Sequence, residues 1–180
     1  MKEGDSVLSE KMVEALNKQI NREIYSAYLY LSMSAYSTFK GLRGFANWFM
    51  VQYQEEMTHT MKIYDYVSDQ GGQVKLMTIA QPPMEFGSPL EMFEKTLKHE
   101  EFVTKCINDL VNLAIEGKDH ATRIFLQWFV TEQIEEEAND NEIIAKLKLV
   151  GKEGNGLFMI DKELAARVFV PPATSEPSQA

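Results

Sequence analysis

Apolar side chains recur at alternating steps of three and four along four stretches of the chain, about Ser9–Lys40, Leu42–Gln70, Pro89–Glu116 and Asp119–Val150. That spacing keeps one face of an α-helix apolar. In the first stretch the stripe contains Met12, Leu16, Glu23, Ala27, Tyr30 and Ser34. In the second it runs Phe45, Phe49, Gln52, Glu56, His59, Ile63 and Tyr66. The third has Phe93, Leu97, Glu100, Thr104, Ile107, Val111 and Ala114. The fourth has Thr122, Leu126, Phe129, Gln133, Glu136, Asp140, Ile143, Leu147 and Val150. Each stretch would be roughly 45 Å long as a helix, far beyond the mean of about 11–12 residues. Four such helices predict an all-α bundle.

Glycine and proline mark the connections. Ser88, Pro89 and Glu91 read as a capping box with proline at the first helical position. Asp119 is placed to cap the fourth helix, and Gly117 and Gly151 to close the third and fourth. The breaks at Gly41 and Gly117 are short, so each predicts an antiparallel hairpin. Gly71 to Ser88 lacks helical periodicity and is long enough to run the length of a helix at about 3.3 Å per residue. It predicts a crossover, with the first and third helices expected to be parallel. A shorter fifth helix is expected over Leu157–Val168, with Leu157, Phe158, Ile160, Leu164 and Val168 as its apolar positions. Residues 1–170 read as one domain and 171–180 as a disordered tail.

The stripes carry chemistry that a core does not need. Glu23, Glu56, Glu100 and Glu136 each interrupt an apolar face near its middle. One interval separates Glu23 from Glu100, Glu56 from Gln133 and His59 from Glu136. The two hairpins therefore bring an acid and an E-x-x-H or Q-x-x-E pair to the same height. Residues at i and i+3 share a helical face, so Glu56 and His59 can hold one ion. Carboxylates with one imidazole suit Fe(II), Mn or Zn. A second ion needs a bridging acid, and Glu56 is central enough to serve both. Without a cation, buried carboxylates repel and their pKa values rise. Glu55, Glu132 and Glu135 lie one step round the helices; they either hold a third cation or form a solvated acidic face.

Composition narrows the class. Eighteen Lys and Arg against 27 Asp and Glu give a net charge of −9, with no basic cluster, which argues against nucleic acid. No apolar run approaches the ~18 residues of a membrane span, and the first ten residues carry no secretory signal. The single cysteine, Cys106, excludes a cysteine-rich metal site and fits a reducing, cytoplasmic setting.

The segments KQINREIYSAYLYLSM, GFANWFMVQYQEEMTH, KHEEF and FLQWFVTEQIEEE resemble the non-haem ferritins of bacteria and archaea, over about residues 8–170. The resemblance implies a ferritin-like four-helix bundle with a long crossover loop and a short fifth helix, assembled as a hollow homo-oligomer of 24 subunits. It implies a ferroxidase that oxidises Fe(II) with O2 or peroxide at a di-iron centre and stores ferric mineral. By motif position, Glu23, Glu56 and His59 would hold one iron, with Glu56 bridging to a second completed by Glu100 and Glu136. Gln133 would sit beside that second site and steer the oxidant or a water, with Tyr30 the family's tyrosine next to the ligands and Trp128 the neighbouring aromatic. Glu55, Glu132 and Glu135, with Glu136, match a third iron site. Bacterioferritin is the haem-binding alternative. It carries two E-x-x-H motifs where this chain has Gln133-x-x-Glu136, and Met57 is expected to pack at an interface rather than ligate haem. A helical oligomer without turnover is the alternative from another class. Asp140 falls on the inward stripe without a role.

Overall fold

The computed structural model describes residues 8–151 and 154–171. Among them are five helices and no strand: α1 Glu10–Phe39, α2 Arg43–Asp69, α3 Pro89–Glu116, α4 His120–Val150 and α5 Gly154–Leu164. None is long and apolar enough to cross a membrane. The expected tail lies outside the described residues apart from Pro171, as does nearly all of the segment read for a secretory signal.

The caps follow from local sequence. Ser9 Oγ accepts the Met12 amide at 3.2 Å. Ser88 Oγ accepts the Glu91 amide at 3.2 Å, while Glu91 accepts the Ser88 amide at 2.6 Å. Asp119 Oδ1 accepts the Thr122 amide at 3.0 Å. Gly117 closes α3 as expected, its amide donating to the Leu113 carbonyl at 3.0 Å. It keeps right-handed geometry, and the left-handed residue of the α3–α4 turn is Lys118, at φ 53°. Two residues, Gly117 and Lys118, separate the end of α3 from the capping Asp119, and the left-handed step falls on the second.

The crossover hugs α1 from one end to the other. Asn17 bonds the loop twice, donating to the Gln73 carbonyl at 2.9 Å and accepting the Lys75 amide at 2.8 Å. Asn21 then donates to the Thr78 carbonyl, Ser32 to Pro83 and Tyr36 to Gly87, so loop and helix advance together. From there α3 runs back: Ser37 meets Met92, Met33 meets Thr96 and Tyr30 meets Glu100. Helices α1 and α3 are therefore antiparallel, which corrects the expectation from sequence. A loop spanning the bundle delivers α3 to the end where α2 began, so it is α2 and α3 that are parallel. Gln52 meeting Glu136 and Tyr66 meeting Thr122 make α2 and α4 antiparallel as well.

Two apolar clusters fill the bundle. One joins Tyr30, Phe45, Trp48, Phe49 and Phe93 to Ile143, Leu147, Ile160 and Leu164. The other joins Met12, Leu16, Ile20, Ile63, Ile107, Leu126 and Phe129. Between them lies a buried polar belt with Glu23, Gln52, Glu56, His59, Glu100, Gln133, Glu136 and Asp140. The dry layers on both sides keep the belt away from bulk water.

Helix α5 docks through an unusual cap. Leu42, the residue before α2, offers no capping side chain. Asp161 of α5 supplies the acceptor instead, taking the Gly44 and Phe45 amides at 2.8 and 3.1 Å. The helix also ends earlier than its apolar pattern suggested. Asn47 takes the carbonyls of Leu164 and Arg167, at 3.2 and 2.9 Å, which turns the backbone out of helix after Leu164. Val168, past the helix end, is exposed, and so is Phe158 on α5 itself. A Cβ on Gly44 would lie 1.6 Å from the Asp161 carbonyl oxygen. Gly44→Ala is therefore expected to unseat α5 at a cost of about 1–3 kcal/mol. Hydrogen exchange at the Phe45 amide should speed up together with that of the α5 amides; unchanged protection would refute this account of the docking.

Candidate metal centre

Four helices each send carboxylates or amides into the polar belt. Glu23 comes from α1, Glu56 and His59 from α2, Glu100 from α3, and Gln133 and Glu136 from α4, and all six are buried. Potential ligand atoms of Glu23, Glu56 and His59 lie within 4.8 Å of one another. His59 Nδ1 stands 3.5 Å from Glu56 Oε2, which has no hydrogen-bond partner. Gln19 holds Glu23 in place, donating to its Oε1 at 2.7 Å, and Arg22 anchors Gln19 in turn at 3.0 Å.

Glu100 and Glu136 form the other side of the belt. The Tyr30 hydroxyl donates to Glu100 Oε1, and Gln133 Nε2 donates to Glu100 Oε2 at 3.1 Å. Gln133 also reaches Thr104 Oγ1 at 3.2 Å, so its amide nitrogen is committed to α3. Gln52 Nε2 donates to Glu136 Oε2 at 3.0 Å, leaving its own Oε1 buried and unpartnered. Neutral amides and a phenol thus orient these acids, and among the described residues no cationic side chain bonds them. Trp128 meets the His59 ring edge-on at 5.3 Å.

The electrostatics of the metal-free belt follow from this. Burial, then the charges of Glu100 and Glu23, raise Glu56 well above the usual carboxylate range. Burial pushes Glu100 up to about 7, against the hydrogen bonds from Tyr30 and Gln133. Burial and the charge of Glu100 push Glu136 up to about 8. Asp140, 1% exposed and with neither carboxylate oxygen bonded, is pushed up to about 9 by burial and by Glu100 and Glu136. Tyr30 is raised well above the ordinary phenol value by burial, then by Glu100. A divalent cation would replace these protons and remove the repulsion.

The outer acids are arranged differently. Glu55 and Glu132 are half-buried and Glu135 is exposed. With His59, Glu136 and Arg167 they line a cavity of about 500 Å³. Arg167 Nη2 pairs with Glu55 Oε2 at 2.6 Å. Met57 lies half-buried on α2. Three participants were not assigned from sequence. Gln52 sits on the inward stripe one turn before Glu56, and that position was a sufficient signal. Gln19 lies one turn before Glu23, a weaker sign. Arg167 gave none, since nothing local tells that the chain leaves helix there and folds back over α2.

The family described as Ferritin-like domain matches residues 13–150. The bacterial non-heme ferritin of Campylobacter jejuni is 44% identical over 156 residues, which is 87% of this chain and 93% of that protein. The bacterial non-heme ferritin of Staphylococcus aureus is 40% identical over 163 residues, covering 91% and 98%. An engineered closed form of the Archaeoglobus fulgidus ferritin superposes with a TM-score of 0.89 at 55% identity, covering 91% of this chain and 99% of that one. The open pore ferritin of the same archaeon gives 0.89 at 55% identity, covering 89% and 98%. The matched stretch takes in nearly all of the four long helices and the buried acids between them, and the chain belongs to the ferritin family, among its non-haem members.

Proposed function

We propose that the protein stores iron and is a ferroxidase, oxidising Fe(II) at a two-iron centre inside the bundle. The observation that carries this reading is the convergence of Glu23, Glu56 and His59 beside Glu100 and Glu136 in a dry belt. Fe(II) is the substrate. One ion takes Glu23, Glu56 and His59, and a second takes Glu100 and Glu136, with Glu56 serving both. Two Fe(II) supply two electrons. These reduce O2 to hydrogen peroxide, or hydrogen peroxide to two waters, with two protons consumed in either case. The chain holds its acids in position through Gln19, Gln52, Gln133 and Tyr30. Those neutral donors carry no positive charge to compete with Fe(II) for the acids. Glu55, Glu132, Glu135 and Glu136 form a third cation site on the way out.

A single bundle has no room for mineral, so storage needs a shell. Phe39, Ile124, Ile134, Leu149 and Phe158 are exposed on the isolated chain, which supports their burial between subunits. We assign a hollow homo-oligomer of 24 copies, in a reducing, cytoplasmic compartment where Cys106 stays a free thiol.

Fe(II) added to the purified shell in air tests the reading. A rapid rise in ferric absorbance and a particle many times the mass of one chain are expected. A helical oligomer that turns nothing over would give only the slow background oxidation. Glu132→Ala and Glu135→Ala are expected to change the iron bound per subunit while leaving the initial rate within about threefold, since neither lies on the inward stripe. Titration with Fe(II) under argon, followed by stopped-flow oxidation, separates the two effects.

A further inference from the structure

The segment after α5 brings a cation to the outer acids. Asn47 anchors it, donating to the Leu164 and Arg167 carbonyls. From that anchor the Arg167 side chain crosses the Trp48 ring, with its guanidinium carbon 4.6 Å from the ring centre, and reaches Glu55 at 2.6 Å. Arg167 and Phe169 border the same cavity as Glu55, His59, Glu132 and Glu135. A guanidinium has no lone pair to offer a metal. Arg167 therefore occupies part of the Glu55 carboxylate without ligating, and a metal bound there would meet a like charge beside it.

We propose that Arg167 is a tethered cation that competes with Fe(II) for Glu55 and so gates the outer acidic site. The inference rests on reading Glu55, Glu132, Glu135 and Glu136 as a cation site. Two features separate a displaceable contact from a fixed staple. The pairing is one-pronged: Nη2 bonds Glu55, while Nη1 is buried with no hydrogen-bond partner. The strongest Arg–carboxylate pairs use the fork on both oxygens. Arg167 also borders a second cavity, of about 250 Å³, lined by Trp48, Glu142 and Glu163. Those two acids share one cation, Lys146, at 2.6 Å each. The guanidinium therefore has alternative acidic partners bordering that second cavity. Its backbone can stay fixed, because Asn47 holds the Arg167 carbonyl and not the side chain. Occupation of the outer site would turn Arg167 from Glu55 towards Glu142 and Glu163, and emptying of the site would let it return.

The test uses Zn(II), which binds without oxidation, and the assembled protein. Calorimetric titration of the wild type, Arg167→Gln, Arg167→Lys and Glu55→Gln resolves the inner ions from the outer one. Arg167→Gln is expected to tighten the outer ion at least tenfold and leave the inner ions unchanged. Arg167→Lys keeps the charge and is expected to stay near wild type. In the double variant Arg167→Gln/Glu55→Gln the gain should disappear. Crystals of the wild type soaked in Zn(II) should show Arg167 turned away from Glu55. An outer ion bound equally or more weakly by Arg167→Gln would overturn the gate, because a staple that only braces the segment behaves that way. An outer ion absent from both wild type and Arg167→Gln, with the inner ions present, would overturn the outer-site reading on which the gate rests. Inner ions absent as well would overturn the two-iron reading itself. Thermal melts of the metal-free variants check that each is folded, so that a lost ion is not misread.

Discussion

Glu56→Ala is expected to slow the initial oxidation of Fe(II) by about 100-fold or more, with the particle size unchanged. Loss of a group that merely supports a metal ligand costs about 10–100-fold, and Glu56 is placed as a direct ligand to both ions. His59→Ala should be milder, since it removes one neutral nitrogen from one ion and leaves Glu23 and Glu56 in place. Neither change should harm the metal-free fold. Glu56 Oε2 has no hydrogen-bond partner, so removing the carboxyl relieves a desolvated acid. Glu56→Gln, which conserves volume, separates lost ligation from a collapsed cavity and should be nearly as slow. Stopped-flow ferric absorbance at saturating O2, alongside light scattering, makes the measurement. Equal rates in Glu56→Ala, His59→Ala and Glu132→Ala would mean that the reactive centre is not on the inward stripe. A Glu132→Ala variant slower than Glu56→Ala would move it to the outer cluster.

The reading of Glu56 and His59 was possible because helical periodicity converts sequence position into depth. Every stripe residue named from the sequence as an acid or amide, from Glu23 to Asp140, is buried in the structure. The equal intervals between the hairpins fixed their heights, because rise per residue is constant in a helix. What periodicity does not encode is direction. The length of the 71–88 segment pointed to a crossover, yet the helix it made parallel to an earlier one was α2 and not α1. A loop that returns along the bundle reverses the direction in which the next helix must run. The end of α5 was illegible for a different reason. Val168 continues the apolar spacing, but the Leu164 carbonyl is taken by Asn47, more than a hundred residues earlier in the chain. The same tertiary bond brings Arg167 to Glu55, so the helix end and that ion pair are hidden in the sequence for one reason. Hydrogen-bond direction is hidden too: motif position puts Gln133 beside the second ion, and only the fold reveals that its nitrogen is committed to Glu100 and Thr104.

The metal-free protein should lose stability as pH rises from about 6.5 to 9, and divalent metal should abolish the trend. Asp140 is pushed up to about 9 and Glu136 to about 8, and Glu56 is raised well above its ordinary value. These folded-state values lie above those of the unfolded chain, so the folded state holds more protons between them. The stability that these groups contribute is full below about pH 4 and is lost as pH climbs through the raised values. His99 works in the opposite sense. Burial lowers it to about 4, so its contribution is present above about 6.5 and lost in acid. Below pH 6.5 the two effects oppose each other, and above it the acids act alone. There each such group contributes a slope of at most about 1.4 kcal/mol per pH unit. Asp140→Asn removes one titrating carboxyl that bonds nothing, and should flatten the slope and raise the melting temperature at pH 8. Zn(II) or anaerobic Fe(II) should flatten it further and release protons in a weakly buffered solution at pH 6.5, because a cation replaces the protons on Glu56, Glu100 and Glu136. Asp140→Asn should leave most of that release intact, since Asp140 stands one turn beyond the proposed ligands. A metal-free melting temperature that rises between pH 6.5 and 9, or metal uptake without proton release, would mean that the belt is already ionised and holds its charges by some other means.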